Sequence, residues 1–75
     1  MKNHSREKRI LFGLTVAKLS ELSGVSVSSI NRGESGKILT ERIWNNIING
    51  LNKGRDKELF PNPVTKVDIF DIKEE

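Results

Sequence analysis

The reactive groups of this chain are hydroxyls, amides and guanidinium groups rather than a catalytic set. Its many serines have no His/Asp pair to activate one as a nucleophile, so the reading is that this is not an enzyme. One His and no Cys support neither a zinc site nor any other metal site or cofactor. What remains gathers in one short stretch, where Ser28, Ser29, Asn31 and Arg32 fall on the outward side of a single predicted helix. Ser and Asn hydrogen-bond to base edges or phosphates, and Arg grips a guanine bidentately or a phosphate.

That helix needs neighbours to position it. The run from Leu14 to Arg32 reads as two short helices, Val16–Ser23 and Val27–Glu34, joined by a tight Gly-Val-Ser turn. Thr15 caps the first, Ser26 caps the second, and Gly24 reverses the chain with positive φ, which needs no Cβ. A pair of this design sets a helix into the major groove of DNA. Around it, residues 5–12 predict a first helix capped by Ser5 and ended by Gly13. Thr40 caps a fourth helix, in which Ile43, Trp44, Ile47, Ile48 and Leu51 repeat along one apolar face. A short helix over 56–60 stops before Pro61, and Pro61-Asn62-Pro63 forbids continuation. Residues 64–72, rich in β-branched and apolar types, predict a strand or extended arm. The fold expected is all-α, a compact bundle of four to five helices containing a helix-turn-helix (residues 1–60). A C-terminal arm, acidic at its end, follows (residues 61–75).

The run Leu19-Ser20-Glu21-Leu22-Ser23-Gly24-Val25-Ser26, then Ile30, then Glu34-x-Gly36, resembles the Cro and phage-repressor type of helix-turn-helix family. Ile47, Ile48, Leu51 and the later Leu59-Phe60 fit the same pattern, so the resemblance covers about residues 5–60. It implies a bundle of about five helices that binds operator DNA as a dimer, in many cases as a bacteriophage switch regulator. Leu19, Val25 and Ile30 point inward and fix the angle between the two helices, and Ser20 is small enough for close approach. The chain also departs from the family. Val16 and Val27 stand where the family often has Gln or another polar residue, side chains that face the DNA and brace one another. Gly33 stands where a core Ile, Leu or aromatic is usual, which loosens the end of the third helix by up to ~1 kcal/mol relative to Ala.

Two functional readings follow from the valine pair. In the first, valines meet thymine methyl groups and DNA binding survives with altered preference. Val27, Ser28, Asn31 and Arg32 then enter the groove, with Thr15, Val16 and Lys37 near the backbone. In the second, the chain resembles a lactococcal-type phage modulator of repression, an antirepressor that grips a partner repressor and controls its DNA binding. The apolar Val16/Val27 pair, with Ile38 and Leu39 nearby, would form that surface.

Composition bounds the rest. Seventy-five residues make one small domain with a modest core. The absence of cysteine suits a reducing bacterial cytoplasm, and no apolar run approaches the ~18 residues of a membrane span. Residues 1–66 hold 12 Lys/Arg against 6 Asp/Glu, whereas residues 67–75 hold 1 against 4. A basic body with an acidic end suits a polyanion partner. Lys2, Arg6, Lys8 and Arg9 read as a solvated face, Glu34 as a capping or pairing residue, Trp44 as core or dimer contact, and 71–75 as a solubilising tail. For the arm after Pro63, packing onto the chain's own helices is favoured over strand pairing in a homodimer. Asp68, Asp71, Glu74 and Glu75 would repel their mates in an antiparallel pair.

Overall fold

The computed structural model describes residues 3–70, and its chain order is α1 (Ser5–Leu11), α2 (Val16–Ser23), α3 (Val27–Glu34), α4 (Glu41–Gly54) and α5 (Lys66–Phe70). No strand occurs among the described residues. The longest helix, α4, lies closely against α2, on which α3 packs in turn, with α1 against α3; α4 buries Trp44, Ile47, Ile48, Gly50 and Leu51. Those are the stripe positions of the sequence pattern plus the one glycine that lets another backbone come close. A Cβ at Gly50 would lie 2.6 Å from Ser23 Cβ and 2.9 Å from Ser23 Cα, so α2 crosses α4 at the glycine. The close approach therefore uses Ser23 rather than Ser20. The core is completed by Leu19, Val25, Ile30, Val64 and Ile69. Burial of each such side chain contributes about 1.5–3 kcal/mol relative to exposure.

The caps are local and follow the residue types. Thr15 Oγ1 accepts from Lys18 N at 3.0 Å, and Thr40 Oγ1 accepts from Ile43 N at 3.3 Å. Ser5 does not cap α1. It lies inside the helix, buried, while Asn3 Oδ1 accepts from Ser5 N at 3.0 Å, so the capping side chain sits two residues earlier.

The C-terminal segment differs from its expectation. Residues 56–60 form one turn, not a helix: Asp56 Oδ1 accepts from Glu58 N at 2.9 Å, and Phe60 N donates to Asp56 O at 2.7 Å. Pro61 has no N–H to extend it. The anticipated extended arm is helical over Lys66–Phe70. A one-sided cap explains this: Asp68 Oδ2 accepts from Thr65 N at 2.9 Å and from Thr65 Oγ1 at 3.2 Å, while Asp68 N donates to Thr65 O at 3.1 Å. A Thr followed three residues later by an acid starts a helix, and here it overrides the β-branched composition. The segment packs on its own chain. Ile69 is fully buried, and Asn52 grips the Val64 backbone on both sides, accepting from its N–H at 2.7 Å and donating to its C=O at 3.0 Å. Lys2 and the acidic stretch 71–75, including Asp71 and Ile72, lie outside the described residues.

Candidate nucleic-acid interface

The turn between α2 and α3 is built as the residue types require. Gly24 sits at φ 73° with its N–H on Ser20 O, and Ser23 Oγ accepts from Val25 N at 3.1 Å. Ser26 Oγ accepts from Ser29 N at 3.2 Å and so caps α3. Leu19, Val25 and Ile30 are all buried, which fixes the angle between the helices.

The far end of α3 is closed by a glycine motif. Lys37 N donates to Arg32 O at 2.9 Å and Gly36 N to Gly33 O at 3.0 Å, with Gly36 at φ 90°. These are the paired bonds of a Schellman cap, and they set Lys37 immediately beyond the helix. Gly33 does not loosen α3, which runs through to Glu34. A Cβ there would meet Leu39 Cδ1 at 2.8 Å and Trp44 Cη2 at 3.0 Å. The indole of Trp44 thus fills the room that a larger core residue at position 33 would take, and it meets Phe70 edge-on at 5.0 Å between ring centres.

Two residues of the amino-terminal segment hold the back of α3. Arg9 is not part of a solvated face: its Nε donates to Glu34 Oε2 at 2.8 Å and its Nη2 to Glu34 Oε1 at 3.0 Å. Both side chains are nearly buried, 11% and 8% exposed, and Arg9 Nη1 also donates to Leu14 O at 2.9 Å. Asn3 Nδ2 donates to Gly33 O at 2.8 Å. Residue type did not single out either one, because the partners lie 25 and 30 positions away.

What α3 leaves outward is a compact set. On a wheel of ~100° per residue, Val27, Ser28, Asn31 and Arg32 span about 140°, centred opposite Ile30 and Gly33. Val27 is 44% exposed, and Ser28, Asn31 and Arg32 are exposed. Ser29 is half-buried, its hydroxyl 3.0 Å from that of Ser26, so it belongs to the cap more than to the face. Val16 is half-buried against the core, unlike Val27. Thr15, at the start of α2, and Lys37 are exposed. Glu34, the one acid of α3, is matched from behind by Arg9, and Glu21 lies 3.6 Å from Lys18. Among the described residues Arg32 and Lys37 have no ion-pair partner, so the outward face is polar and positive. His4, 3.0 Å from Glu7, stands apart from it.

A helix pair with buried hinge residues, two side-chain caps and a free basic face on the second helix defines a DNA-binding helix-turn-helix domain. A family model described as helix-turn-helix matches residues 6–57, from α1 to just past α4, and the chain belongs to this Cro and phage-repressor type of helix-turn-helix family. Such a domain is a DNA-binding regulatory unit rather than an enzyme family. No curated protein and no solved structure matches the chain significantly. Among the described residues no helix is long and apolar enough to cross a membrane.

Proposed function

We propose that this chain is a small phage-type transcription regulator that binds operator DNA with α3 in the major groove, as part of a genetic switch. The observation that carries the reading is the division of charge on α3: Arg32 is free on the outer face while Glu34 is neutralised behind it. In this reading Arg32 and Asn31 read base edges, Val27 meets a thymine methyl, and Ser28 bonds to a base or phosphate. Thr15, Val16 and Lys37 lie along the backbone and set the register. Arg32→Ala then costs ~1–3 kcal/mol on the preferred sequence and relaxes preference at one position. A smaller loss, uniform across sequences, assigns Arg32 to a phosphate. Absence of any sequence preference in a mobility-shift assay at physiological salt removes the proposal.

A second reading has the same face grip a partner repressor, as an antirepressor does. Val27 favours it, being an exposed apolar side chain where phosphates or polar base edges would meet a polar one. Val16→Gln with Val27→Gln separates the two. Gain of DNA binding with loss of a co-purifying repressor supports the antirepressor, and unchanged partner binding counts against it.

A further inference from the structure

Behind the end of α3 lies a groove of about 390 Å³ to which the helix-turn-helix gives no role. Its floor is apolar, made by Leu39, Trp44 and Phe70, the indole meeting the Phe70 ring edge-on at 5.0 Å between centres. Ile38 forms one lip and is 91% exposed, so the apolar surface continues out of the groove into water. Ligand pockets run from ~300 to ~1,000 Å³, and a cavity of ~150 Å³ already holds a benzene ring. The groove therefore has room for two fused rings.

The polar edge selects the charge of what enters. Glu41, the carboxylate at the edge, is already bonded to Lys66. Lys37, also at the edge, is exposed and has no ion-pair partner among the described residues. Asn3 Nδ2 gives one hydrogen to Gly33 O at 2.8 Å, and an amide nitrogen carries two. The groups left over are thus donors, one of them cationic, beside an aromatic floor. We propose that the groove binds a small organic monoanion, a carboxylate on an apolar body of one or two rings. The carboxylate lies on Lys37 and Asn3 and the rings on Trp44 and Phe70. A cationic ligand would meet two ammonium groups, and a phosphate chain brings no apolar body for the floor. The site is linked to α3, because Lys37 follows its cap and stands along the DNA backbone in the operator reading. A carboxylate on the Lys37 ammonium takes it from a phosphate, so ligand and DNA oppose each other, and reciprocally.

This link, and not the site itself, rests on the operator reading. The probe is 2-naphthoate, titrated into the full chain from about 10 µM to 5 mM and followed by NMR. Trp44 is the single tryptophan, so one indole N–H signal reports on the floor. That signal and the Leu39 methyls should shift to saturation together. The neutral 2-naphthamide should bind about 3- to 5-fold more weakly, the worth of one exposed ion pair. Lys37→Gln should bring naphthoate to the level of the amide, with an unchanged circular dichroism spectrum. At matched ionic strength, saturating naphthoate should lower affinity for the preferred DNA sequence about 5-fold or more and reduce its salt slope by about one. No saturable shift over the whole titration, or equal binding of acid and amide, overturns the site. Shifts that appear only in an Ile72→Asn chain assign the groove to the chain's own acidic end and overturn the small ligand. Naphthoate bound with DNA affinity and salt slope unchanged overturns the link. A chain without DNA preference removes the operator reading, while the titration still decides the site.

Discussion

Removing Glu34 tests whether α3 is held from behind by a nearly buried ion pair. In Glu34→Ala the guanidinium of Arg9 keeps its bond to Leu14 O but loses both bonds to carboxylate, at 2.8 and 3.0 Å. Exposures of 11% and 8% put the pair close to the buried limit, where loss of one partner costs about 3–5 kcal/mol. Taking the lower figure, and an unfolding entropy near 0.16 kcal/mol/K for a chain of this length, the melting temperature falls by about 15–20 °C. Most of the cost is the stranded charge, so Arg9→Met combined with Glu34→Leu should recover a large part of it. Thermal and urea unfolding of the wild type, Arg9→Met, Glu34→Leu and the double variant gives the coupling directly. A fall of less than about 4 °C for Glu34→Ala, or a double variant no better than the sum of the singles, refutes the argument.

Three further outcomes follow from the packing. Gly33→Ala should destabilise by about 1–3 kcal/mol in urea titration, the crowding of Trp44 and Leu39 outweighing a helix-propensity gain of ~1 kcal/mol. Trp44→Leu in the same chain should remove much of that crowding penalty. Ile69→Ala should cost about 2–5 kcal/mol by the same measurement, since Ile69 is fully buried; a near-zero cost would show α5 undocked. The hydrogen bond and then the charge of Lys66 hold the Glu41 carboxyl below its ordinary value of 4.5. Its small stabilisation is therefore complete above that value and lost as pH falls through the lowered one. Glu41→Gln should flatten the acid limb of a stability–pH curve, and this difference should shrink in 1 M salt, where the screening length is ~3 Å.

Local chemistry was legible in the sequence and distant pairing was not. Thr15, Ser26 and Thr40 cap as their types predict because a cap needs a hydroxyl and an N–H three residues away. Gly24 and the stripe of α4 were readable for the same reason, each a rule within one turn or one face. Of the candidate face, Val27, Ser28, Asn31 and Arg32 share one side of α3, since helical periodicity alone decides that. Val16 is half-buried where Val27 is open, a difference that residue type does not carry because it depends on what packs behind α2. Arg9 carried no mark that set it apart from Arg6 or Lys8; only folding brings Glu34 to it. On residue type alone Gly33 is a defect, and it is Trp44, eleven residues on, that occupies the space. The helix over 66–70 had its signal in Thr65 and Asp68, outweighed in the reading by a run of Val and Ile.

The bonds that close the molecule also order its assembly in time. The α2–turn–α3 unit is tied by bonds between residues two to four apart, so it can form early. The seam from His4 N to Ile69 O, 2.7 Å, joins the two ends of the described chain and must wait for everything between. What closes last, through a five-residue helix and one turn of α1, also opens at the lowest free energy. Opening there takes Asn3 from Gly33 O and leaves α2 on α4 undisturbed. Thus α3 is graded along its length: its far end loses the Asn3 bond when the seam opens and keeps only the Arg9–Glu34 pair from the amino-terminal segment, while its Val27 end depends on neither. Amide exchange should show the gradient, with the Gly33–Lys37 amides exchanging before those of the last turn of α2.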